Sequence, residues 1–153
     1  MRPTILSGGQ TGADRAALDV ALALGVPVGG WCPAGRWAED GPIPPRYPLR
    51  ETPSADPAER TRRNVRDADA LLVLAPGLPT GGTALAVATA ETLGRPVLVA
   101  DPATDPVGPV LSWLRQQGGP LRINVAGPRE SEAPGVYAAS AEWLTRLLTA
   151  LGP

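Results

Sequence analysis

The stretch ALLVLAPGLPTGGT, residues 70–83, decides the fold. Its first six residues are continuously apolar, the mark of a strand buried on both faces. A glycine-rich turn follows at 76–83, then a helical pattern from about Ala84 to Leu93 that Gly94 stops. A buried strand feeding a helix is the unit of a parallel sheet covered on both sides.

Outward from it the same unit recurs. TILS (4–7) reads as a first strand and runs into a second glycine turn, SGGQTG (7–12). Thr11 is expected to cap the next helix, with Asp14 three residues on in a capping-box position, and Gly25 and Pro27 end it. VPVGGW (26–31) reads as a strand. Residues 32–55 are rich in Pro and Gly and show no periodicity. Asp56, Pro57 and Glu59 make a strong helix start as cap, first and third positions, and that helix runs to about Asp67. PVLVA (96–100) and LRINVA (121–126) are further strands. Asp105-Pro106 opens a helix ending before Gly118, and the last helix covers roughly Ala138 to Leu151. The expectation is an α/β protein: a single Rossmann-like domain over 1–153, with a mostly parallel sheet of about five strands and helices on both faces.

Composition narrows the chemistry. The chain has 153 residues, 43% hydrophobic and 19% charged, with net charge −1. No basic excess points to nucleic acid. The apolar run at the start is too short for a signal peptide or a membrane span, so a cytoplasmic protein is expected. Every one of the 14 Lys+Arg residues is arginine, and there is no His. A Ser-His-Asp triad, a Schiff-base lysine, a histidine metal site and a P-loop lysine are therefore excluded. Cys32 stands alone, which rules out an internal disulfide.

In open parallel sheets ligands sit beyond the carboxyl ends of the strands. Here those ends carry 7–14, 30–50, 76–83, 101–105 and 126–133. Two glycine turns, Ser7-Gly8-Gly9-Gln10-Thr11-Gly12 and Gly81-Gly82-Thr83, each enter a helix. Each would offer free amides and the positive end of a helix dipole to a phosphate or oxyanion. GGQTGAD does not match G-x-G-x-x-G, and no acid follows the second strand to grip a ribose, so an NAD enzyme is disfavoured. Asp14 is a helix-start carboxylate or a ligand contact. Arg15 pairs with Asp19 one turn on or faces the ligand. The long loop brings Trp31, Trp37, Cys32, Arg36, Asp40 and Arg46; Arg can grip an oxyanion and Trp can stack on a flat ring. Arg129, beyond the last strand, is a further anion contact. The Arg-rich helix at 60–66 reads as a solvated face, Arg60 excepted.

Taken together and in order, SGGQTGADRAALD, GGWCPAGRWAEDGPIPPRYPL, ERTRRNVRDADALLVL, TGGT and INVAGPRES resemble the putative molybdenum carrier protein family. The resemblance implies a homo-oligomeric Rossmann-like protein that binds molybdenum cofactor (molybdopterin), or molybdate or phosphate. It would protect the ligand and pass it to molybdoenzymes. The wider group is similar to the Lonely Guy phosphoribohydrolases, which carry a glutamate three residues after the Thr of their glycine motif and an arginine on the preceding helix. Arg60 falls near that arginine, but Ala86 stands in the glutamate's place. This departure favours a carrier over an enzyme. The alternatives are a phosphoribohydrolase-type enzyme and a nucleotide-sensing module.

Overall fold

A computed structural model describes residues 2–152. The elements in chain order are β1 (Thr4–Leu6), α1 (Ala13–Ala23), β2 (Val28–Gly29), β3 (Trp31–Cys32), β4 (Arg50–Glu51), α2 (Pro57–Asp67), β5 (Ala70–Leu74), α3 (Gly81–Leu93), β6 (Val97–Ala100), α4 (Gly108–Gln116), β7 (Arg122–Ala126) and α5 (Val136–Leu151). The main sheet has five strands in the order β2-β1-β7-β5-β6, and β3 pairs with β4 in a small second sheet. Every pairing is parallel.

The apolar run at 70–74 is buried along its whole length, as an interior strand requires. Its side chains alternate between faces. Leu72 and Leu74 join Ile123, Val125 and the apolar faces of α1, α4 and α5, around the buried Trp143. Leu71 and Val73 face the other way, onto Val65 of α2 and Ala86 and Ala90 of α3. The Ala-rich inner face of α1, from Ala13 to Ala21, is buried in the first of these clusters. Short side chains there let the helices approach closely. Among the described residues no helix is long and apolar enough to cross a membrane.

Several local expectations shift. The stretch 26–31 is not one strand: Gly30, at φ 125°, breaks it, and Trp31 and Cys32 leave for the second sheet. Gly12, not Thr11, occupies the N-cap of α1, with no side-chain cap. The helix after the buried strand starts at Gly81 with Thr80 as N-cap, so the second glycine pair forms its first turn. Pro106 lies ahead of α4, which begins at Gly108. Asp56 caps α2 as expected, accepting from the Ala58 amide at 3.0 Å.

Candidate functional site

β7, the last strand, lies between β1 and β5. The helices that follow β1 and β7 cover one face, while α3, which follows β5, covers the other. The sheet therefore has its topological switch between β7 and β5. A cleft of about 240 Å³ opens there, above the strands' carboxyl ends. Gly8, Gln10 and Asp14 line one side, Arg60, Thr61 and Asn64 of α2 another, and Gly81, Gly82, Thr83 and Ala86 of α3 a third. Asn124, Gly127 and Arg129 close the floor and rim, and Trp37 reaches over from the long loop. Of the residues named from sequence, the cleft gathers Gly8, Gln10, Asp14, Trp37, Arg60, Gly81, Gly82, Thr83 and Arg129. Ser7, Gly9, Thr11, Gly12, Arg15, Trp31, Arg36 and Asp40 do not line it.

The first glycine turn does not present the cradle its sequence suggests, because the turn's own side chains occupy its amides. The Gly9 amide donates to Ser7 Oγ at 3.2 Å, the Gln10 amide to Asp14 Oδ2 at 3.4 Å, and the Thr11 amide to Gln10 Oε1 at 3.0 Å. Ser7 Oγ in turn donates to the Asp14 carbonyl. Gly12, at φ 79°, is held for another reason. A Cβ there would lie 2.3 Å from the Pro128 carbonyl, so only glycine lets the β7–α5 loop pass this close. Thr11 donates through its hydroxyl to Glu39 and accepts from the Glu130 amide at 3.1 Å. It ties three loops together.

The second turn keeps its Gly81 and Gly82 amides open, while the Thr83 amide donates to the Thr80 carbonyl at 3.1 Å. The first N–H groups of a helix have no intrahelical acceptor, and a Cβ on either Gly81 or Gly82 would meet no atom within 4 Å. Thr83 is only 7% exposed, and its hydroxyl has no hydrogen-bond partner among the described residues. Helix dipole, free amides and hydroxyl converge where Arg60 and Arg129 also line the cleft. Donors arranged in this way can bind an anion.

Asp14 lines the same cleft as these donors. Burial pushes its carboxyl up to about 6, against the pull of Arg60, the Gln10 amide and Arg15. Gly8 allows the approach: a Cβ there would lie 2.9 Å from an Arg60 guanidinium nitrogen and 3.0 Å from Asp14 Oδ2. Arg60 itself is anchored on the Gly8 carbonyl at 2.9 Å. The capping-box reading of Asp14 gives way to a buried carboxyl aimed across the turn. Asn124, 3% exposed, donates to the Leu6 carbonyl at 3.1 Å and adds a polar amide to the floor.

The long loop carries structural rather than ligand-facing charges. Arg36, in the left-handed region at φ 55°, donates to the carbonyls of Ile43, Leu49, Pro44 and Tyr47. Its guanidinium replaces the regular structure that the prolines forbid. Arg15 pairs not with Asp19 but with Asp40, through two bonds of 3.1 and 3.2 Å, while its Nε donates to the Gly9 carbonyl. Asp19 instead accepts from the hydroxyls of Tyr47 and Tyr137. Trp31 donates to Asp67 at 2.8 Å and lies under the guanidinium of Arg63, 4.7 Å from its ring centre. Arg63 is thus not simply solvated. Cys32 is fully buried beneath the loop with Leu18, Ile43 and Tyr47, and burial pushes its thiol up, away from thiolate.

Some site residues escaped the sequence reading. Thr61 and Asn64 were absorbed into an Arg-rich helix read as solvated. The spacing of Pro57, Arg60, Thr61 and Asn64, one helical face, was the available signal. Glu39 had no local signal at all: its role as acceptor for Thr11 and for the Ser131 hydroxyl and amide exists only in three dimensions. Those bonds, Ser131's first, hold its carboxyl below the ordinary range.

The model of the circularly permutated YpsA SLOG family matches residues 5–148. The crystal structure of a putative molybdenum carrier protein from Syntrophus aciditrophicus SB is similar throughout, at 40% identity and a TM-score of 0.89. The match covers 95% of this chain and 94% of that one. No curated protein matches the chain.

Proposed function

The chain belongs to the circularly permutated YpsA SLOG family, and from that premise we propose that its cleft binds molybdenum cofactor as cargo and carries it unchanged. The observation that carries this reading is the pairing, across one cleft, of an open helix N-terminus with a buried carboxyl. The cofactor's phosphate matches the Gly81 and Gly82 amides and the Thr83 hydroxyl, with Arg60 nearby to offset its charge. The pterin's ring N–H groups match acceptors on Asp14 and Asn124. Trp37, half exposed at the rim, offers an indole face to a flat ring. No thiolate is offered to the metal, because Cys32 lies under the loop, so the grip is on phosphate and ring. The name carried by the Syntrophus protein agrees with this reading.

Purified protein loaded anaerobically with the cofactor, desalted and oxidised should release a fluorescent pterin. No retained pterin, and no protection of added cofactor from oxidation, would sink the proposal. Delivery to molybdoenzymes follows if loaded protein reconstitutes a cofactor-free molybdoenzyme faster than free cofactor does.

One observation favours a second reading, a phosphoribohydrolase. A carboxyl titrating near 6 is poised for proton transfer. Against it, Ala86 lines the cleft at the position where the similar hydrolases place their glutamate. Release of free base from a nucleoside monophosphate, abolished by Asp14→Asn, would favour the hydrolase.

A further inference from the structure

A second cavity, also about 240 Å³, adjoins the cleft, and the two share Thr83 and Glu132 as a common wall. One side is the β5–α3 loop, Pro76 to Thr80; the other is Pro128 and Ala133 of the β7–α5 loop. Its character differs from the cleft's. Apart from the shared residues and Thr80 it offers apolar surface, chiefly three prolines and Leu78. Leu78 is 92% exposed at the rim, an unusual place for a large aliphatic side chain that packs on nothing.

The boundary between the cavities is the anion site. Gly81, Gly82 and Thr83 face it from the helix start, and the hydroxyl of Thr83, a residue only 7% exposed, accepts and donates no hydrogen bond among the described residues. The Glu132 carboxylate at the same boundary is neutralised locally, accepting from the Arg129 amide at 3.0 Å and from its guanidinium at 3.2 Å. Size makes the same point. Pockets for small organic ligands occupy roughly 300–1,000 Å³. Each cavity alone falls short of that range, and the two together enter it.

We infer that the site takes a two-part ligand of the dinucleotide type, in which the phosphate on Gly81–Thr83 is joined to a second nucleotide whose base lies in the proline-walled cavity. This rests on the carrier reading for the first cleft and names the chemical form of its cargo: a phosphodiester or pyrophosphate rather than a phosphate monoester. Prolines and Leu78 would cover the base's faces without selecting its edge, so the cavity favours a base over none and discriminates weakly between bases.

The test compares flavin mononucleotide with flavin adenine dinucleotide by fluorescence titration of the intact protein. The two share a fused pteridine-type ring and differ in whether the phosphate carries a second nucleotide. The dinucleotide should bind about tenfold more tightly. Ala133→Trp, which fills the second cavity, and Leu78→Asp, which makes its rim polar on an exposed side chain, should each abolish that preference and leave the mononucleotide's affinity unchanged. Equal affinities in the natural protein, no binding of either flavin, or a preference that survives both substitutions would overturn the inference. Pterin retention in the carrier assay together with equal flavin affinities would sink the second subsite alone.

Discussion

Asp14→Asn should make the empty protein more stable at neutral pH while weakening its grip on cargo. The carboxyl titrates at about 6 in the fold, against an ordinary 3.8. Between those values the folded chain keeps a proton that the unfolded chain has lost, so stability falls as pH rises from about 4 to about 6 and is level above. At 1.36 kcal/mol per pH unit of difference, the ionised carboxyl costs the fold about 3 kcal/mol above pH 6. Asparagine keeps an acceptor for the Gln10 amide and carries no charge to desolvate. A gain of about 1–3 kcal/mol at pH 8 is expected, shrinking towards nothing near pH 4. Urea unfolding of both proteins at pH 4, 6 and 8 measures it. A variant destabilised at pH 8, or changed equally at all three values, would refute the claim that burial of this charge is uncompensated. The stabilised variant should also retain less pterin after desalting, the signature of a residue kept for binding at the expense of the fold.

Arg36→Ala should lower stability by at least about 3 kcal/mol, since four backbone carbonyls lose a charged donor; thermal melts and faster proteolytic cutting within 33–49 report it. Arg15→Ala frees Asp40 and the Gly9 carbonyl. It should raise hydrogen exchange in both the first turn and the long loop, whereas an effect confined to α1 would speak against the bridge. Gly12→Ala and Gly82→Ala form a contrasting pair. A methyl at Gly12 meets the Pro128 carbonyl at 2.3 Å, while one at Gly82 meets nothing within 4 Å. The first should cost stability by about 2 kcal/mol or more. The second should leave Tm unchanged and weaken phosphate binding by isothermal titration calorimetry.

The layered architecture was legible in the sequence because it follows from strong, local patterns. ALLVL can only be an interior strand, and Asp56-Pro57 can only open a helix. That Gly81 and Gly82 sit at a helix start and that Arg60 turns to the same edge of the sheet were legible as well. What failed was pairing between side chains distant in sequence. Nothing near Ser7–Gly12 reveals that Asp14, Gln10 and Ser7 would turn inward and consume the turn's amides. Nor does the loop's composition distinguish a guanidinium that grips a ligand from Arg36, which grips its own backbone. Arg15 found Asp40 rather than Asp19 because two tyrosine hydroxyls had already claimed Asp19. Such competition is decided by geometry that only the folded chain supplies.

The central position of β7 sets an order of events in time. Thr4–Leu6 pair with residues 122–124, and Ala70–Val73 pair with residues 123–126. The sheet therefore cannot close, nor can Asn124 and Arg129 floor the cleft, until residues 122–129 have emerged from the ribosome. Contacts this distant in sequence form slowly, and until they form the edges of β1 and β5 stand open to other chains. A chain not yet extended past Glu132 lacks part of the wall of the cleft proposed to hold cargo.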